Sequence, residues 1–198
     1  MFYYIDSFLA YMQSGGYVMW PLLFLSTILW YALGYRYHSV VRGSKISVRE
    51  LVRRHRNGRR KEKTGVLDVA INESIEIASS FATPRASRRL LDDAHHKYIV
   101  NLKTFQKLIT AIVVVAPLIG LLGTVIGMIE TFDSLASASL FSQSGGIAGG
   151  ISQALFTTQF GLVVAVPGLV IGRIIDRHAN NIIYELEQVK DLICSEGL

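Results

Sequence analysis

Three long apolar runs separated by polar stretches organise the chain. The first, Tyr17 to Tyr35, is nineteen residues without a charge, and the second, Leu108 to Ile129, is twenty-two. The third lies inside an uncharged tract from Ser134 to Gly172 and is placed at residues 147–172. A hydrocarbon core of about 30 Å takes roughly 20 helical residues to cross, so each run predicts a transmembrane helix. Ahead of the first, Phe2, Tyr3, Tyr4, Phe8 and Tyr11 give residues 2–12 the aromatic content of a short interfacial helix, set off by Gly15-Gly16. Between the first and second runs, Asp68 to Phe81 carries apolar residues at helical spacing. Thr83-Pro84 is a start signal, and no Gly or Pro follows until Pro117. One continuous helix is therefore expected from Pro84 through the second span to about Asp133, roughly 75 Å long at about 1.5 Å per residue. The third span is expected to continue past Arg173 through Asp176–Ile193, which has no breaker. The pattern predicts an all-α integral membrane protein with three transmembrane helices, the second and third extended far into the cytoplasm.

Charge fixes the expected orientation. Between Arg36 and Lys107 lie seventeen of the twenty Lys and Arg but seven of the fifteen acids, a local excess of ten positive charges. The residues before Arg36 hold no Lys or Arg and one acid, Asp6. Basic loops stay on the cytoplasmic side, so the N-terminus is expected outside and the C-terminus inside. The expected divisions are a periplasmic interfacial helix at 1–16, a first span at 17–36 and a cytoplasmic helical domain at 37–107. A second span at 108–133, a periplasmic loop at 134–146, a third span at 147–172 and a cytoplasmic C-terminal helix at 173–198 complete them. Mean hydropathy of +0.36 with only 18% charged residues argues against a soluble domain. No cleavable signal is expected, because the N-terminus lacks a basic region and the first apolar run starts late. Cys194 is the lone cysteine, so no disulfide within the chain is expected.

The second and third spans carry the candidate chemistry. At about 100° per residue, Gly120, Thr124, Gly127 and Thr131 share a narrow face of span two. Gly150, Ala154, Thr157, Gly161, Ala165, Gly168 and Gly172 share one face of span three. Small-residue faces let helix backbones approach closely in lipid, where packing drives association. Close packing alone accounts for the glycines; it accounts less well for Gln153, Thr157, Thr158 and Gln159 beside them. Thr124 lies 17 residues above Lys107, and Thr158 lies 15 above Arg173, about 26 and 23 Å at helical rise. The two threonines are thus expected at similar depth, able to hold water or to hydrogen-bond an ionisable group of a partner. No Asp, Glu, His, Lys or Arg stands near the middle of a span, and Glu130 is only at the outer end of the second. Intramembrane proton relays use a titratable group, so if protons pass, a second subunit must carry them.

Other features yield to plainer readings. The basic tract from Arg53 to Lys61 suits anionic phospholipid or a solvated turn better than nucleic acid. His95 and His96 are adjacent and point about 100° apart, so they cannot share a metal along one helix face. The glycines of 145–150 lack the Lys-Ser/Thr of a phosphate loop. No catalytic constellation, metal site or cofactor is expected, and a membrane enzyme finds no support.

The runs Ala116-Pro117-Leu118-Ile119-Gly120-Leu121-Leu122-Gly123-Thr124-Val125-Ile126-Gly127-Met128 and Gly150 to Pro167, which contains Gln153-Ala154-Leu155-Phe156-Thr157-Thr158, resemble the signature spans of the ExbB/TolQ/MotA proton-channel family. Gly15-Gly16-Tyr17-Val18-Met19-Trp20-Pro21 resembles the start of an ExbB-type first span. The length suits ExbB or TolQ rather than the larger four-span MotA. The resemblance implies a pentamer in a bacterial inner membrane, with the second and third spans lining a pore. That pore would hold the single helices of an ExbD-type partner, whose aspartate carries the proton and whose work reaches the outer membrane through a TonB-type protein. It implies that Thr124 and Thr158 face that aspartate, with Thr157 and Gln153 on the same pathway and Gly120, Gly127, Ala154, Gly161, Ala165 and Gly168 as packing positions. Gln153 stands where many ExbB proteins have glutamate, and Tyr35 where a glutamate commonly precedes the arginine, here Arg36. A TolQ-type role and a non-conducting membrane scaffold are the alternatives.

Overall fold

A computed structural model describes residues 2–43, 46–56, 65–80, 84–137 and 144–195. The order is α1 (Phe2–Ser14), a 3-10 turn (Gly16–Val18), α2 (Met19–Ser39), α3 (Val48–Arg56), α4 (Val66–Ser80), α5 (Pro84–Lys103), α6 (Gln106–Ser137) and α7 (Ser144–Ser195). Among the described residues there is no strand, and three helical stretches are long and apolar enough to cross a membrane. The chain is an all-α membrane protein.

The expected single helix from Pro84 to Asp133 does not form. Pro84 opens α5, but the helix ends at Lys103 and α6 begins at Gln106. Thr104 N–H donates to Asn101 O at 3.2 Å, a tightened last turn, and Phe105 adopts a left-handed φ of 61°. Neither residue is a breaker, and the cause lies in tertiary contacts. The Tyr35 ring meets Phe105 edge-on at 5.3 Å, and the buried Arg36 guanidinium donates to Leu102 O at 3.5 Å. That carbonyl is in the last turn of α5, where intrahelical partners run out and the dipole favours a cation. By contrast α7 runs unbroken for 52 residues through Pro167. Thr83, the expected cap, lies outside the described residues, as do 57–61 of the basic tract and 138–143 of the expected loop.

The chain divides into two compact units, Met1–Leu33 with Lys107–Gly172, and Gly34–Gln106 with Arg173–Leu198. In the second, the apolar positions of four helices make one core. Val48, Leu51 and Val52 come from α3, Leu67, Ala70 and Ile71 from α4, Leu91 and Leu102 from α5, and Ala179, Ile182, Leu186 and Val189 from α7. The spacings of three and four residues place each set on one helix face. Arg36, 2% exposed, ion-pairs with Asp176, and Arg42 grips Glu185 with Nε and Nη2 at 2.7 Å each. Gly43, at φ 85°, lies against Gly65, where a Cβ would stand 2.6 Å from the Gly65 nitrogen. Val66 N–H donates to Val41 O at 3.1 Å across that crossing.

Candidate functional site

In the first unit α6 and α7 meet backbone to backbone. A Cβ on Gly120 would lie 3.0 Å from Thr157 O, one on Gly127 2.6 Å from Gly150 O, and one on Gly161 2.8 Å from Ala116 O. The register is antiparallel and constant: Gly127 meets Ala154, Gly120 meets Gly161, Val113 meets Gly168 and Ile109 meets Gly172. Each step along α6 is matched by one step back along α7, which sets Thr124 level with Thr157 and Thr158. All seven small residues grouped on span three are buried, and so are Gly120, Gly127 and Thr131 on span two.

The steric terms give a sharp test of this seam. For Gly127→Ala the new methyl meets backbone atoms, Gly150 O at 2.6 Å and Ala154 N at 2.9 Å, that cannot rotate away. A loss of about 1–3 kcal/mol is expected, as for other overpacked contacts. Gly34→Ala, in α2 with nothing within 4 Å, should gain up to about 1 kcal/mol from helix propensity. Thermal melting of the detergent-solubilised variants reads both, and equal shifts would refute the close seam.

The four polar residues proposed from the sequence separate. Thr158 and Thr124 remain partly open at one level. The Thr158 hydroxyl lies 3.3 Å from Gly120 O across the seam and 3.2 Å from Ala154 O on its own helix. Thr124 donates to Leu121 O at 2.6 Å. A hydroxyl that gives its proton to a carbonyl still presents its own lone pairs, so both threonines offer acceptors to an approaching acid. Thr157 is different: it is wholly buried, covered by Gly123, and bonds Ala154 O at 3.0 Å and Gln153 O at 3.2 Å. It packs the seam and has no open side in this chain. Gln153 is not brought to Thr158 either. Five residues apart, they point about 140° apart on the helix. The Gln153 amide lies over the 3-10 turn instead, where a Cβ on Gly16 would meet its Nε2 at 2.6 Å. Phe156 and Phe160 share that side of α7 and hold Tyr11 of α1, at ring distances of 5.3 and 6.3 Å. Gly123, three residues from Gly120, extends the small-residue face of α6 to cover Thr157, and that offset of three is its signal in the sequence. Glu130 is exposed on α6, outside the close contact.

These features define a class: a helical membrane protein whose polar groups sit at a glycine seam and whose spans carry no titratable group near their middles. Residues 61–188 match the MotA/TolQ/ExbB proton channel family, and the chain belongs to that family. Among similar proteins is the Synechocystis sp. protein that bears the name biopolymer transport protein ExbB-like 1, 30% identical over 186 residues, covering 86% of this chain and 70% of that one. A second Synechocystis protein, ExbB-like 3, is 39% identical over 94 residues, 47% of this chain and 45% of its own length, so the chain spans about half of that relative. The Helicobacter pylori ExbB-like 1 protein is 28% identical over 196 residues, 96% of this chain and 98% of its own.

Proposed function

We propose that this chain is an ExbB-type subunit of a motor driven by the proton-motive force in a bacterial inner membrane. Five copies surround a pore lined by α6 and α7, and single-span ExbD-type helices occupy it. The proton rides on the partner's carboxylate, and a TonB-type protein carries the work to outer-membrane transport. The N-terminus faces the periplasm and the C-terminus the cytoplasm, following the excess of Lys and Arg between Arg36 and Lys107. On that side Arg53 and Arg54, exposed on α3, meet anionic phospholipid. The observation that carries the reading is the level pair Thr124 and Thr158, with hydroxyl acceptors available and no acid near the middle of a span to use them. Gln153 cannot titrate and supports the turn before α2, so in this reading it positions the helix rather than relaying protons. ExbB-like names among the relatives favour this role over a TolQ-type role in envelope integrity.

Proton flux into liposomes under an imposed potential tests the proposal. The chain purified with a single-span, aspartate-bearing partner should conduct, and the chain alone should not. A partnered complex that assembles yet carries no proton current would leave the scaffold reading in its place.

A further inference from the structure

The core of the second unit contains a titratable group that the proposed proton path does not use. His95 on α5 is 4% exposed, and its Nε2 lies 2.8 Å from the Ser74 hydroxyl on α4. Ser74 spends its single proton on Ala70 O at 2.6 Å. The ring then donates from Nε2, which is where a neutral imidazole carries its proton in this arrangement. Uptake of a second proton would place a cation in the interior of this unit, where Ala70 and Ile71 of α4 and Leu91 of α5 are fully buried.

Two of the nearby acids are already engaged. Asp92, on the same helix, takes the Lys190 ammonium of α7 at 2.7 Å. Glu73 of α4 accepts the Tyr98 hydroxyl. Glu187 of α7 exerts only the weakest pull on the ring. Burial lowers the His95 pKa from its ordinary value and the Lys190 ammonium adds to this, against the attraction of Asp92, Glu73 and Glu187.

We propose that His95 is an acid-sensitive latch: a proton taken up by its ring loosens α4 from α5 in the helical bundle. The sign follows from linkage. A histidine whose folded form resists protonation adds nothing to the pH dependence of stability above the unfolded pKa of about 6.5, and destabilises the closed state as pH falls below it. Under the proposed function this bundle stands where conducted protons arrive, so the latch would report their accumulation; that last step rests on the proposed orientation.

Hydrogen exchange of the α4 amides in the detergent-solubilised full chain tests the latch without any transport, so its outcome is separate from that of the conduction experiment. After correction for chemical exchange rates, protection of residues 66–80 should fall about tenfold between pH 7.5 and 5.5. His95→Gln, which retains a donor to Ser74 but cannot titrate, should abolish that dependence. The same loss of protection in His95→Gln, or no loss in the parent chain, overturns the proposal. Should His95→Gln fail to fold, NMR titration of the parent ring decides: an apparent pKa below about 6.5 sustains the latch, and one at or above it overturns it.

Discussion

Thr158→Val is expected to leave the α6–α7 pair assembled and to slow proton-driven work by roughly ten- to a hundredfold. Valine keeps the branched shape, so the contact with Gly120 and Ala154 is filled as before. What it removes is a hydroxyl that reaches Gly120 O across the seam and still offers acceptor capacity to the open side. If a partner's carboxylic acid docks there, losing a hydrogen bond to a charged or proton-bearing group costs about 1.5–3 kcal/mol, or roughly ten- to a hundredfold in rate. Growth that depends on energised outer-membrane uptake, measured beside pull-down of the intact complex, separates conduction from assembly. Wild-type uptake in this variant would remove Thr158 from the proton path. Thr157→Val should leave energised uptake close to that of the parent, because Thr157 is sealed beneath Gly123 and its hydroxyl bonds carbonyls of its own helix.

Arg36→Ala is expected to cause the largest loss of stability, about 3–5 kcal/mol, the usual cost of stranding one member of a buried ion pair. The guanidinium is 2% exposed, joins Asp176 on α7 and also serves Leu102 O at the end of α5. One substitution thus leaves a half-buried carboxylate without its cation and an end-of-helix carbonyl without a donor. Arg36→Met combined with Asp176→Leu should recover most of the loss, since a buried pair replaced as a unit is often neutral. Denaturant titration of the solubilised chain reads both. A single variant within about 1 kcal/mol of the parent would show that the pair contributes little.

Much of this was legible in the sequence because lipid imposes strong rules. Uncharged runs of twenty residues and small residues at three- and four-residue spacing required no knowledge of neighbours, and counting rise from Lys107 and Arg173 anticipated the shared level of Thr124 and Thr158. The failures share a physical cause, which is that they depend on what lies alongside a helix. Nothing in Thr104-Phe105 marks a break; Tyr35 and Arg36 stabilise it from another helix. Gln153 and Thr157 appeared equivalent to Thr158 until the occupant of each side of α7 was known, the 3-10 turn for one and Gly123 for the other. Arg36 and His95 read as ordinary members of a basic segment, since burial of a polar side chain leaves no periodic signature.

The backbone-to-backbone contact between α6 and α7 also bears on how such a sequence can drift. With carbonyls and α-carbons as the touching surfaces, there are few methyls to trim or enlarge, and the gap between the two helices acts as a fixed gauge. Variation is channelled to the outward rows, such as Leu118, Leu122, Val125 and Ile129 on one helix and Leu155, Val163 and Val166 on the other. A lineage can therefore refit itself to new neighbours or a bilayer of different thickness while the spacing of the pair stays constant.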